Sequence, residues 1–444
     1  MIYDAVIAGG GTAGLYFALQ LGKRGFKTLV LEKEPLDRVS RRLDIIHLPY
    51  SLYERFGIEA PKEGDGEFGK EFLYSRSRSA IDTYEKVNSN HVYAVHLPAF
   101  NARLANLARD AGAEIIYGAR YKRLIRECSE IKGIVYEKDG AEYEAFGKLI
   151  ADASGISSAV RRDIDSPYME TFEIGPLDQF YVMLKYVIYD DPANETLEPV
   201  SWPYYKTWIG PFHGKSGGII GCGASTSFDY CKYMMEKFEG RIPRPSYKVD
   251  HFEYGSTPYT RTPYSFVADN FMALGDSAGL TNPMSGEGIE YHFEFIKETL
   301  DAVCKALEDN DTSVEKLWPV NVIYNRSVNA ANQEIRASVV CLMKMNEREN
   351  EYIFKKGIIF RSDDEPEPNT VKELIKGVLS GDFSLKALTD TASGLIKAGK
   401  IRRHYEKFPG SPVGYAAWAK KADELWQKAG KITDMDRPLE VSGS

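Results

Sequence analysis

"YDAVIAGGGTAGLYFALQLGKRGFKTLVLEKE" spans residues 3–34, and its reading decides the fold. Ala5 to Ala8 is a short apolar run, and Gly9, Gly11 and Gly14 follow it in G-x-G-x-x-G spacing. Leu15, Ala18, Leu19 and Gly22 then fall on one helical face. Thr28 to Leu31 is a second apolar strand, closed by Glu32. Strand, glycines, helix, strand and acid, in this order over about 30 residues, make the βαβ unit of a dinucleotide site.

Each part has a physical task. Gly9 makes the tight turn, Gly11 admits a pyrophosphate to the backbone, and Gly14 lets helix and strand pack closely. The helix start, at Thr12 and Ala13, offers bare N–H groups to phosphate. Glu32 can accept from ribose hydroxyls, with Lys33 beside it. The motif begins at the third residue, a placement typical of FAD enzymes. A second glycine cluster, "GIIGCGAST" at 218–226, has Gly221 and Gly223 but Thr226 at the third position and no acid-ended strand after it. It reads as strand glycines, so no separate nicotinamide domain is expected.

The 444 residues, 43% hydrophobic and 27% charged, suit a globular chain of two or three domains or one elaborated enzyme fold. A net charge of −8 argues against general nucleic-acid binding. Five cysteines form no C-x-x-C pair and seven histidines no H-x-x-x-H or H-E-x-x-H spacing, so neither a metal site nor a disulfide framework is expected. No basic stretch followed by an apolar run precedes the first strand, so no signal peptide is expected, and no apolar run approaches the roughly 20 residues that span a bilayer. A cytoplasmic protein is expected, with any membrane contact peripheral.

Residues 99–116 read as an amphipathic helix and a strand, with Arg103 weighed as a flavin ligand against a solvated surface group. Three strands follow, with turns expected at Lys132-Gly133 and Asp139-Gly140, and the last runs into Asp152, Ala153, Ser154 and Gly155. That small-residue turn allows a second close approach to the dinucleotide. From 166 to 265 aromatic and β-branched residues dominate, as in an antiparallel sheet. One face would carry Tyr205, Trp208 and Phe212, as core or as a substrate pocket. From Val314 onward the chain reads as mostly helical.

"GDSAGLTNPMSGEGIE" at 275–290 supplies the other half of a cofactor site. Gly275 and Asp276 close a strand, where the carboxylate can reach a ribityl hydroxyl. Pro283 turns the chain, and Gly286, Glu287, Gly288 and Ile289 lead into a helix whose N-terminus would favour anionic reduced flavin.

Together "GGGTAG" with Glu32, "DASG" and "ALGDSAGLTNPMSGEGIE" resemble the FAD-dependent family of geranylgeranyl reductases, para-hydroxybenzoate-hydroxylase-type monooxygenases and flavin halogenases, over about residues 1–310. "YYKTWIGPFHGKSGGIIGCG" (204–223) and "HYEKFPGSPVGYAAW" (404–418) resemble the reductases within it. The resemblance implies an α/β fold: a Rossmann-type FAD-binding domain (1–165 plus 266–310), an inserted antiparallel sheet (166–265) and a C-terminal helical domain (311–444). It adds Arg42 and Tyr121 to the expected FAD contacts. The implied activity is hydride transfer from reduced flavin to an isoprenoid double bond. Tyr205 and Glu287 are proton-donor candidates by position alone.

The implied partners are an apolar prenyl lipid and an electron donor, ferredoxin or NAD(P)H. Arg402, Arg403 and Lys407 are weighed as phosphate contacts against a solvated helix end. The alternative is a monooxygenase or halogenase; a halogenase needs a catalytic lysine, and Lys62, Lys70 and Lys86 sit in no motif. Two departures bear on substrate: "RVSRRLDIIHLP" (38–49) has Leu43-Asp44 where the reductases carry a cysteine, and Pro211-Phe212 inverts their Phe-Pro.

Overall fold

The first apolar run becomes β1 (Ile2–Ala8), the glycines turn into α1 (Thr12–Lys23), and β2 (Thr28–Glu32) lies parallel to β1. The computed structural model describes residues 1–39, 43–81, 84–128, 130–212, 214–342 and 345–430. Arg42, an expected FAD contact, lies outside them. Next come β3 (Ile45–Pro49), α2 (Tyr50–Phe56), β4 (Phe68–Arg78), β5 (Glu85–His96), α3 (Leu97–Asp110) and β6 (Glu114–Tyr117). The meander is β7 (Arg120–Glu127), β8 (Glu130–Lys138) and β9 (Ala141–Asp152). Asp139 and Gly140 make its second turn with φ of 52° and 79°, the positive pair a tight hairpin needs. The other expected turn is corrected: Lys132 and Gly133 lie inside β8, where a Cβ on Gly133 would stand 2.2 Å from the Ala145 carbonyl oxygen of β9.

The middle supplies β10 (Gln179–Tyr189), β11 (Val200–Trp202), β12 (Thr207–Pro211), β13 (Gly217–Ser225), α4 (Phe228–Arg241) and β14 (Tyr247–Pro258). The chain returns through β15 (Val267–Ala268) and β16 (Phe271–Ala273) to α5 (Ile289–Glu308). The first sheet has the order β15-β16-β9-β1-β2-β6, with β7 and β8 continuing from β9. Ala5 to Ala8 are almost fully buried, as a central parallel strand requires.

The second sheet runs β14-β10-β13-β12-β11-β4-β5-β3. Residues 45–96, placed by the sequence reading in the dinucleotide unit, therefore pair with the aromatic strands. The junction is short: among the described residues Val200 pairs with Arg76 and Ser201 with Ser77, parallel. Local periodicity carries no record of a pairing between strands so distant in the chain.

The C-terminal helices are α6 (Val314–Tyr324), α7 (Ala330–Leu342), α8 (Glu347–Lys355), α9 (Thr370–Ser380), α10 (Leu385–Tyr405) and α11 (Tyr415–Ala429). Trp318, Tyr324, Ile401, Tyr405, Phe408 and Trp418 share one buried core with β1. Much of 311–444 is thus continuous with the first sheet. A polar seam holds it there: Asn321 donates to Ser265 Oγ, Asn325 to the Tyr264 carbonyl, and Asn329 to Thr262 Oγ1. A smaller cluster of Met345, Tyr352, Ile353, Leu374 and Phe383 lies under α8 and α9. Among the described residues no helix is long and apolar enough to cross a membrane.

Candidate active site

One cavity of about 2300 Å³ runs from the C-terminal end of β1 to the face of the second sheet. Small-molecule sites occupy about 300–1,000 Å³, so this one has room for a dinucleotide and a second ligand. Gly9 (φ 117°) makes the turn; a Cβ there would stand 2.1 Å from the Ala153 carbonyl oxygen. A Cβ on Gly14 would meet the Gly9 carbonyl oxygen at 2.1 Å, so Gly14 packs α1 to the turn behind the cavity. Gly11 lines the cavity with nothing within 4 Å of where its Cβ would be. No side chain caps α1, and Thr12 and Ala13 border the cavity, so the first N–H groups of the helix remain for an anion. Glu32 is held by the N–H of Gly10 (2.7 Å) and of Glu34 (2.8 Å), and with Lys33 it faces the cavity.

The small-residue turn after β9 is tied to the 275–290 loop by contacts the sequence did not reveal. Ala153, Ser154 and Gly155 line the cavity. Buried Asp152 accepts from the N–H groups of Ser154, Val160 and Arg161. Arg161, fully buried, donates from Nε to the Ser277 carbonyl (2.8 Å), while Ser277 Oγ donates to the Asp152 carbonyl (2.6 Å). "DASG" and "GDSAG" are thus one braced unit. Gly275 (φ 66°) packs on Ala13 behind the wall, and Pro283 is buried in the turn. Asp276, Gly286, Glu287, Gly288 and Ile289 face the cavity, and no side chain caps α5.

Three residues the sequence reading did not single out also line the site: Asn101, His292 and His47. Asn101 Oδ1 accepts from Thr12 Oγ1 at 2.9 Å, and His292 Nε2 lies 3.2 Å from Asp276 Oδ1. No motif marks these positions; His292 reaches the site because it stands in the first turn of α5, whose start opens onto the cavity. His47 opens onto the cavity and is otherwise enclosed by protein, and this burial pushes its imidazole down to about 4. Glu287 is in the same position. Burial pushes its carboxyl up against the opposing bond from Ser285 Oγ (2.9 Å), and Glu290 adds to the rise.

Two expectations, Arg103 and Phe212, need correction, and two of the alternatives weighed beside them find no support at the cavity. Arg103 does not line the cavity: its Nε and Nη2 bond Glu67 at 2.6 and 2.8 Å, and Nη1 bonds the Glu59 carbonyl. Phe212 packs against Tyr186 on the second sheet, away from the cavity lining. Arg402 is committed to Glu334 and Glu406, and neither it, Arg403 nor Lys407 borders the cavity. The lysines weighed for a halogenase are engaged elsewhere: Lys62 with Glu59, Lys70 with the Leu197 carbonyl, Lys86 with Glu365. Tyr121 does border the cavity, its hydroxyl on Asp163 at 2.6 Å. So do Trp208 and the nearly buried Tyr205, whose ring packs edge-on to Phe238.

Residues 3–206 match the family model described as FAD binding domain. The cofactor is FAD. The cradle fits it: open backbone at Gly11 and Gly155, two uncapped helix starts and a braced carboxylate at Glu32. The chain is 25% identical over 454 residues to the digeranylgeranylglycerophospholipid reductase of Sulfolobus acidocaldarius, covering 95% of this chain and 97% of that one. In fold it is similar to a geranylgeranyl bacteriochlorophyll reductase-like protein of Thermoplasma acidophilum, with a TM-score of 0.71 at 16% identity over 96% of this chain and 99% of that one. It is also similar to a myxobacterial chondrochloren halogenase, with a TM-score of 0.64 at 15% identity over 91% and 97%.

Proposed function

We propose that the protein is an FAD-dependent reductase that saturates isoprenoid double bonds of a geranylgeranyl-type lipid. The observation that carries this reading is the continuity of the cavity. Its dinucleotide end passes without a wall into an apolar end lined by Phe72, Phe180, Trp202, Tyr205, Trp208 and Met234. Similarity to a digeranylgeranylglycerophospholipid reductase over 95% of the chain supports the same substrate class.

When bound and reduced, FAD would supply the hydride for one carbon of the double bond, and an acidic group of the cavity would supply the proton for the other. Gly9, Gly11, Gly155 and the start of α1 would hold the pyrophosphate, Glu32 the ribose, and Asp276 the ribityl chain. The loop 286–289 would face the ring, where the α5 N-terminus favours negative charge. The aromatic walls exclude water from the prenyl chain. Glu287 and Tyr205 border the cavity as candidate proton donors, and burial raises both above their ordinary values. Electrons would come from ferredoxin or NAD(P)H in transient contact. The lipid would enter at a membrane surface.

An oxygen-using halogenase shares the fold, but Lys62, Lys70 and Lys86 lie off the cavity. The test is anaerobic. The flavin of the purified protein is reduced with dithionite, and a geranylgeranylated glycerophospholipid is added. Reoxidation without air, with two mass units gained per double bond, is the expected result. A flavin that stays reduced until air enters, followed by an oxygenated product, overturns the reading.

A further inference from the structure

A helix packed on one side normally turns polar side chains to water. The outer face of α9 does the opposite. Leu374 and Gly377 face inward, Gly377 against the Tyr352 ring. The outward face carries Val371, Ile375 and Leu379 at i, i+4 and i+8, and they are 68%, 47% and 83% exposed. Leu385, just past the turn into α10, is 65% exposed. Among the described residues none of the four joins a hydrophobic cluster.

Two further observations say what covers this face. First, lysines border it. Lys372 and Lys376 stand on α9 among the exposed apolar residues, and Lys386 follows Leu385, in a chain whose net charge is −8. Lys376 pairs with Glu373, Lys386 with Asp390 and Arg348 with Asp382, so each acid of 370–400 has a basic partner. An apolar stripe edged with lysine is the pattern of a helix that lies in an anionic membrane interface. Second, the face adjoins the cavity. Lys386, next to Leu385, is solvent-exposed and also lines the cavity with Asn346, Asn350 and Phe360, so it marks a mouth.

We propose that the outward face of α9, together with Leu385, docks on an anionic lipid bilayer and holds the cavity mouth against it. The purpose of that placement rests on the lipid-reductase reading. A prenyl chain passing through water exposes each methylene at a cost, whereas a chain passing directly from bilayer to cavity exposes none. A second copy meeting this face with the same face would set the lysines of the two copies against each other.

The test uses the full-length, FAD-loaded protein and substrate-free vesicles of phosphatidylglycerol with phosphatidylcholine, or of phosphatidylcholine alone. The wild type is expected to float with the anionic vesicles, less so with neutral ones and less so in high salt. Ile375→Glu/Leu379→Glu is expected to lower that partition by about tenfold or more. Val413→Glu, which changes a residue 84% exposed elsewhere, leaves it unaltered. Both changes are at exposed positions, so thermal unfolding stays near that of the wild type.

On detergent-dispersed substrate the double variant retains wild-type turnover, while on vesicle-embedded substrate it falls. The proposal is overturned if the wild type does not float with anionic vesicles or the double variant floats equally well. It is also overturned if the double variant only converts a dimer to a monomer. Flotation needs no turnover, so an inactive wild type that still floats refutes the reductase reading and leaves the docking surface standing.

Discussion

Arg103 shows how a residue type in the right segment can have a different partner. Its guanidinium makes two bonds to Glu67, which is 2% exposed, so Arg103→Met leaves a buried carboxylate alone. The expected loss is about 2–3 kcal/mol of unfolding free energy in urea, at the low end for a broken buried pair because Arg103 keeps 28% of its side-chain surface. FAD affinity by fluorescence titration should not change; a large loss of affinity at unchanged stability would return Arg103 to the cofactor. His47 makes a pH prediction. Its folded value of about 4 lies below the ordinary 6.5, so on acidification the unfolded chain takes the proton first. Its contribution to stability is complete above about 6.5 and is lost progressively as pH falls towards 4. In flavin-stripped protein, His47→Gln should lose less stability than the wild type between pH 7 and pH 5; equal losses would place the proton uptake elsewhere.

At the scale of elements, β13 explains a glycine pattern that imitates a nucleotide turn. The strand is buried along its whole length. A Cβ on Gly221 would lie 2.1 Å from the Trp208 ring, and one on Gly223 would lie 2.5 Å from that of Phe180. Both aromatic rings line the cavity, so these glycines make room for its wall. Gly221→Ala is expected to displace Trp208 and cost about 1–3 kcal/mol of overpacking. The kinetic consequence is a KM for prenyl substrate changed by roughly tenfold, with FAD affinity constant. If FAD affinity fell instead and KM held, the strand would belong to the cofactor. The helix–strand unit at 97–117 was legible because its apolar spacing is local. The supposed turn at Lys132-Gly133 was not, because that glycine is required by the neighbouring strand rather than by its own backbone.

At the scale of the molecule, the cavity takes its walls from both sheets and from the C-terminal helices, including Val339 of α7 and Asn350 of α8. A ligand filling its dinucleotide end braces all three. FAD at a hundred times its Kd should add about 2.7 kcal/mol to stability. Stripping it should lower Tm in calorimetry and leave the two sheets unfolding together. Separate transitions, with only one moved by FAD, would show two independent units. This continuity also bears on the division of the chain, since residues 45–96 enter the second sheet and α6, α7, α10 and α11 share the core of the first.

The sequence by itself determined the dinucleotide strand–glycine–helix unit, its acid, the two small-residue turns and the helical character of the C-terminal third. All are set by neighbours a few residues away, through φ freedom, helix periodicity and strand hydropathy. The tertiary structure alone decided which strands share a sheet, that Arg161 and Ser277 tie two turns together, that Arg103 serves Glu67, and that His47, Asn101 and His292 meet at the cavity. Those outcomes depend on contacts between residues tens to hundreds of positions apart. They arise from burial and pairing in the assembled core, and short stretches of sequence do not encode them.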